Sequence, residues 1–355
     1  MKFKTSSSSF CLNGLPLGCK YCIKGEKLVI FISGICKRNC YYCSLSNKRK
    51  NKDITWINER IVKNPIQAIQ EAIESNATSA GITGGDPFLF MNRTIKYAKA
   101  LKNKFGKKFH IHIYLPTQNL TNSKLKQLSK YINEVRFHPN FLINSNKDNI
   151  NKETQKIKLA NKFWKKQNIG IELPMIPEKK QKILNFILKI QNYIGFVNLN
   201  ELEISETNFN CMINCYNFNK SGYVVKSSKS AGLWLLKKLQ KHKTKLKIHF
   251  CTADLKNNYQ FKNRLLKHKI LPHGKRTKDG TVLYLIAKYN HKKQFNNLIK
   301  KIEKLKNNQF YIDKQKQRIL LSNSLANKLL TQNHKISLIE EFPTYDRLET
   351  ETRNL

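Results

Sequence analysis

Between residues 28 and 204, short apolar runs alternate with stretches of helical periodicity, and this alternation narrows the folds open to the chain more than any other feature. Leu28-Val29-Ile30-Phe31-Ile32 is β-branched and stops at Ser33-Gly34, the pattern of a buried strand. Ala80-Gly81-Ile82, Phe109 to Leu115, Val135-Arg136-Phe137, Ile169 to Leu173 and Leu199 to Ile204 repeat it. Helical spacing recurs between them: at 65–75 through Ile66, Ile69, Ala72 and Ile73, at 92–105, around Leu125, Leu128 and Ile132, near 151–167, and at 179–193. Six strands separated by helices predict a parallel sheet with helices outside. Near-continuous apolar strands fit burial on both faces. In a closed or partly closed (β/α) barrel, functional groups gather at the C-terminal strand ends.

The pattern changes at about residue 255. Thr281 to Tyr289, Phe310 to Asp313, Arg318 to Ser322 and Ile336 to Glu341 read as strands without regular helices between them, a small α+β appendage. Residues 1–26 are loop-like and cysteine-bearing, broken by Gly14, Pro16, Gly18 and Gly25. The predicted division is an extension over 1–26, a barrel over 27–254 and an α+β domain over 255–355. No apolar stretch approaches the ~18 residues a membrane span needs, and Met1 to Phe10 lacks the apolar core of a secretory signal. The expectation is a cytoplasmic protein with no membrane attachment.

Lys and Arg number 66 against 23 Asp and Glu, a net charge of +43. Such charge suits a polyanion such as RNA. It equally reflects a composition rich in Lys, Asn and Ile throughout, and that reading comes first for most of the lysines. The basic runs Lys48 to Lys52, Lys300 to Lys306 and Lys314 to Arg318 read as solvated faces. Phe310, Tyr311 and Tyr345 give the last segment a composition compatible with base stacking.

The nine cysteines are Cys11, Cys19, Cys22, Cys36, Cys40, Cys43, Cys211, Cys215 and Cys251. An odd count in close clusters points to metal rather than disulfides. Cys36, Cys40 and Cys43 follow the first strand at C-x3-C-x2-C spacing. Three thiolates on one loop can cap three irons of a [4Fe-4S] cluster and leave the fourth open; the same spacing suits a zinc completed by a distant ligand, or free thiols. Cys19 and Cys22 form a C-x2-C pair. With Cys11 and Cys251 they make a candidate four-thiolate site for zinc or a second iron–sulfur cluster, the alternative being reduced structural cysteines. Cys211 and Cys215 read as ordinary thiols.

The run from Cys36 to Cys43, with Tyr42 at its aromatic position, resembles the radical S-adenosylmethionine (radical SAM) superfamily, and Gly84-Gly85-Asp86-Pro87 after the second strand is similar to that superfamily's glycine-rich segment. Asp86 departs from the commoner Glu. The superfamily likeness covers roughly Leu28 to Ile204. Leu17 to Cys22, Gly81 to Pro87, Arg136-Phe137-His138-Pro139 and Glu340 to Arg347 further resemble an archaeal uncharacterised group related to pyruvate formate-lyase activating enzymes. The resemblance implies a partial (β/α)6 TIM-like barrel, and a [4Fe-4S] cluster on Cys36, Cys40 and Cys43 whose open iron chelates SAM. It implies reductive cleavage of SAM to a 5′-deoxyadenosyl radical and a one-electron donor of ferredoxin or flavodoxin type. The backbone of Gly84 and Gly85 is expected at the methionine amino group.

Among residues near strand ends, Arg136 and His138 are candidates for the SAM carboxylate, and Glu172 and Glu206 for ribose hydroxyls, with His112, Tyr114, Glu203, Thr207 and Asn208 beside them. No catalytic residue is singled out. The substrate is a protein, an RNA or a small molecule. The contrasting reading is a non-catalytic zinc or iron–sulfur RNA-binding protein.

Overall fold

The computed structural model describes residues 3–143, 146–220, 222–305 and 309–355. Met1, Lys2 and Lys306, which the readings above include, lie outside them. The chain forms two compact units, Met1–Ile73 with Ala77–Phe261, and Glu74–Asn76 with Lys262–Leu355.

In the first unit β1 (Phe10–Leu12) and α1 (Leu17–Ile23) precede β2 (Lys27–Phe31), and the cysteine loop leads into a hairpin of β3 (Trp56–Ile57) and β4 (Arg60–Ile61). The alternation follows: α2 (Pro65–Glu74), β5 (Ser79–Thr83), α3 (Met91–Phe105), β6 (His110–Pro116), α4 (Asn122–Ser129), β7 (Glu134–His138), α5 (Lys147–Leu159), β8 (Ile169–Pro174), α6 (Lys180–Ile190), β9 (Phe196–Asn200), α7 (Phe209–Ile213), α8 (Ser228–Lys241) and β10 (Lys247–Cys251). Local chemistry sets these ends. Thr121 accepts a hydrogen bond from the Lys124 amide at the start of α4, and Gly106, at φ +80°, ends α3.

Strands β2, β5, β6, β7, β8, β9 and β10 are neighbours in that order and parallel, the sequential order of a (β/α) barrel. β1 adds antiparallel to β10, and the β3–β4 hairpin flanks β2. Two expectations change. The sixth parallel strand spans Phe196–Asn200 rather than Leu199 to Ile204, and β10 makes a seventh. The strands are also not uniformly apolar. Ile111, Ile113, Val135, Phe137, Ile171, Leu173, Val197 and Leu199 belong to the core. The residues alternating with them, His110, His112, Tyr114, Glu134, Arg136, Glu172 and Asn198, are polar. The predicted helix near 151–167 ends at Leu159 and passes into two short 3-10 turns.

The second unit contains α9 (Lys262–Lys267), β11 (Lys275–Arg276), β12 (Val282–Lys288), α10 (Lys292–Lys304), β13 (Phe310–Asp313), β14 (Arg318–Leu321), α11 (Asn323–Leu330), β15 (Ser337–Glu341) and β16 (Glu349–Asn354). From β12 to β15 the order is β-α-β-β-α-β, in an antiparallel sheet ordered β13-β14-β12-β15, the ferredoxin-like split βαβ arrangement. Regular helices therefore do separate these strands. Phe295, Leu298, Ile299 and Ile302 form the apolar stripe of α10, and Leu325, Ala326 and Leu329 that of α11. Arg318, expected on a solvated face, is fully buried, with Nε 2.8 Å from Asp313 and Nη2 2.8 Å from Glu341.

Candidate cluster and cofactor site

The alternating polar residues of β6 to β10 surround a cavity of about 720 Å³, within the usual range for a small-molecule site. Tyr114, Arg136, His138, Glu172, Asn198, Asn200, His249 and Cys251 line it from the strands. Buried polar groups on this scale persist only when paired. Arg136 is 2% exposed. Its Nη2 lies 2.7 Å from Glu134 and its Nη1 2.9 Å from Glu172. Glu172 also accepts from Asn200 Nδ2 at 2.9 Å. Burial holds His249 neutral, its pKa lowered to about 3, with Nδ1 2.7 Å from Asn198 and Nε2 3.1 Å from Ser9.

α1 packs across the N-terminal strand ends. The Gly18 amide donates to Glu134 at 3.2 Å, Cys19 Sγ donates to Asn198 at 3.4 Å, and Tyr21 stacks on His110 at 5.3 Å between centroids. A Cβ on Gly18 would lie 2.6 Å from Arg136 Nη2 and 2.8 Å from both Glu134 Oε1 and His112 Nδ1, so only glycine lets the helix approach this closely. His110, His112 and Glu134 form a buried trio with ligand atoms within 4.8 Å of one another. Arg136 already neutralises Glu134 there, and burial, aided by the charges of Arg136 and Lys27, holds His112 uncharged.

The loop after β2 places Cys36, Cys40 and Cys43 on the same cavity, beside Gly84 and Gly85. Burial raises the pKa of the Cys36 and Cys40 thiols. The loop is held from several sides. Tyr42 is buried, its hydroxyl 3.1 Å from His138 Nε2. Arg38 donates to the carbonyls of His138 and Pro139 and to Asn140 Oδ1. Arg49 lies over the rings of Phe31 and Trp56, at 5.3 and 5.1 Å, rather than on a solvated face. A Cβ on Gly85 would meet Ile35 O at 2.3 Å and Cys36 Cβ at 2.9 Å, so this glycine is packed directly under the cysteine loop.

Three soft thiol donors on one cavity wall suit an iron–sulfur cluster. The donor set present therefore fits such a group.

The structure brings most of the sequence candidates to this cavity, and some take other roles. Asp86 is buried and caps a turn, accepting from the Phe88 amide at 2.8 Å; burial raises its pKa. Arg136 has both its carboxylate partners inside the protein. Glu206 is exposed and accepts from the Asn47 amide at 2.9 Å. Thr207 donates to the carbonyls of Cys43 and Leu45, and Asn208 to that of Glu203. Glu206 and Thr207 thus clamp the cysteine loop. Cys19, Cys22 and Cys251 line the cavity, whereas Cys11 sits on β1 opposite His249 and is not part of the lining. Cys211 and Cys215 are exposed. Sequence reasoning passed over Glu134, His110 and Lys27. The signal for the first two was the repeated polar–apolar alternation of His110 to Tyr114 and Glu134 to His138.

Residues 30–167 match the family model of the radical SAM superfamily, and the chain belongs to that superfamily: it is a radical SAM enzyme. A Methanocaldococcus jannaschii protein carrying the name glycyl-radical enzyme activating enzyme is 35% identical over 356 residues, spanning 95% of this chain and 92% of that one. Among solved structures, SuiB of Streptococcus suis is 15% identical with a TM-score of 0.42, covering 64% of this chain and 49% of that chain. The radical SAM methyltransferase TsrM of Kitasatospora setae is 10% identical with a TM-score of 0.35, covering 52% and 38%. No helix among the described residues is long and apolar enough to cross a membrane.

Proposed function

We propose that Cys36, Cys40 and Cys43 hold a [4Fe-4S] cluster whose fourth iron binds SAM in the adjoining cavity, and that the enzyme abstracts hydrogen from a protein substrate. The observation that carries this reading is the placement of the three thiols and the Gly84-Gly85 backbone on one cavity wall. When bound, cluster and SAM supply one-electron reductive cleavage of a sulfonium carbon–sulfur bond; the chain supplies position and exclusion of water. Gly85 leaves room for the loop. Tyr42, His138, Arg38 and Thr207 fix its course, so that the cluster is held in one orientation toward the cavity.

The name of the M. jannaschii relative favours a protein substrate, with a glycyl radical as product. An acidic one-electron donor of ferredoxin or flavodoxin type suits the +43 charge, which steers anionic partners. RNA binding without catalysis is the less supported reading, since two of the basic runs that could serve it contain buried or stacked arginines, Arg49 and Arg318.

Anaerobic reconstitution followed by reductant and SAM is expected to release 5′-deoxyadenosine. A fully loaded cluster that yields none overturns the reading. Co-expression with a candidate partner protein, followed by electron paramagnetic resonance for a glycyl doublet, tests the substrate class.

A further inference from the structure

We propose that Cys19, Cys22 and Cys251 form a second iron–sulfur cluster site, built on three thiolates and facing the same cavity as Cys36, Cys40 and Cys43. This goes beyond the SAM-binding site and does not depend on it.

The helix–barrel packing assembles the trio. Cys19 and Cys22 are three residues apart on α1 and share one of its faces. The Gly18 contact described above presses that face into the barrel. Cys251 is the last residue of β10 and reaches the same cavity. The fourth thiol grouped with them by spacing, Cys11, lies outside the lining, which leaves three protein ligands rather than four.

A cation acts on each of the three sulfurs. Arg136 Nη2 is 3.4 Å from Cys19 Sγ. Lys27 is hydrogen-bonded to Cys22. Lys256 acts on Cys251, and its ammonium is 2.6 Å from Glu203. Cluster binding leaves three anionic sulfurs in a low-dielectric site. Arg136 and Lys256 are shared between these sulfurs and the carboxylates of Glu134, Glu172 and Glu203, so they offset part of that charge.

The donor set suits a cluster: sulfur is soft and selects iron–sulfur, copper(I) or zinc, and the iron and zinc counts separate these. With three ligands supplied by the chain, one iron of a four-iron cluster would face the cavity.

The test counts iron and sulfide in anaerobically reconstituted full-length protein. The expected content is about eight of each per chain, two four-iron clusters. Cys36→Ala/Cys40→Ala/Cys43→Ala is expected to retain about four irons, with a reduced-cluster paramagnetic signal unchanged by SAM. Cys19→Ala/Cys22→Ala/Cys251→Ala is expected to fall to about four irons, with a signal that SAM still alters. Cys11→Ala should change neither count. Wild-type protein with about four irons, or no cluster in the Cys36/Cys40/Cys43 variant, overturns the proposal and leaves the SAM-binding reading intact. One zinc per chain that is lost with Cys19, Cys22 and Cys251 also overturns it. If the Cys19 variant does not fold, the Cys36 variant still decides.

Discussion

The Tyr42 hydroxyl lies 3.1 Å from His138 Nε2, tying the cysteine loop to the end of β7. His138 Nδ1 is 2.8 Å from the carbonyl oxygen of Glu172, which can only accept, so the proton sits on Nδ1 and Nε2 accepts from Tyr42. One imidazole therefore joins the loop after β2, strand β7 and strand β8, with a defined tautomer.

Tyr42→Phe keeps the ring and removes this bond. The expected loss is about 1 kcal/mol in unfolding free energy, with iron content unchanged. Denaturant titration alongside iron analysis checks it. Loss of the cluster in this variant would mean that the hydroxyl holds the cluster itself and not only the loop.

Stability should fall with pH below neutrality. Burial lowers the pKa of His110 and His138 to about 4 and of His249 to about 3, from an ordinary value of 6.5. Between those values the unfolded chain binds protons that the folded chain does not, so stability rises with pH. Their contribution is present above 6.5 and is lost as the pH falls toward 4. The slope reaches up to about 1.4 kcal/mol per pH unit for each histidine. Unfolding measured from pH 7.5 to 4.5 checks this, and His249→Gln should flatten the curve. A pH-independent midpoint would show that these imidazoles are not buried neutral.

Gly85→Ala places a methyl group 2.3 Å from the Ile35 carbonyl. The loop has to shift, at a cost of roughly 1–3 kcal/mol. The variant is expected to bind less iron and to bind SAM more weakly, while Gly106→Ala, which meets no atom within 4 Å but is strained by its positive φ, lowers stability without touching the cluster. Iron content of the two variants separates these effects.

Arg136→Met leaves Glu134 and Glu172 in the barrel interior without their cation. A loss of about 3–5 kcal/mol is expected, as for other broken buried ion pairs. Arg136→Lys recovers only part of it, because an ammonium cannot span both carboxylates as the guanidinium fork does. Thermal or denaturant unfolding ranks the three proteins. Full stability in Arg136→Met would mean that the two carboxylates are protonated.

Arg318→Leu is expected to destabilise the second unit by a similar amount, about 3–5 kcal/mol, because Glu341 loses its buried partner while Asp313 keeps only Arg347. Proteolysis of residues 262–355 relative to the barrel reports it. Equal protection of the variant would rule out a stabilising role for the pair.

The order of elements was readable because periodicity is a local property. Leu28 to Ile32, Ile169 to Leu173 and Phe310 to Asp313 each announce a strand within a few residues. The cysteine trio was readable for the same reason, being confined to eight consecutive positions. The alternation in His110-Ile111-His112-Ile113-Tyr114 even says that a polar face exists. The sixth strand was misplaced because Leu199 and Leu202 are both buried, although only the first lies in β9. The helices of the second unit were missed because lysines and asparagines crowd their apolar stripes.

The sequence by itself determined which residues alternate, which thiols are neighbours along the chain and where the breakers fall, because each depends on spacing over one or two turns of backbone. It did not determine what each polar side chain would meet. That Arg136 is taken by Glu134 and Glu172, that Glu206 and Thr207 clamp a loop some 160 residues away, and that Cys251 lines the same cavity as Cys19 and Cys22 all follow from strand order and stagger in the barrel interior. A buried charge pairs with whatever lies within a few ångströms, and only the packed barrel sets those distances.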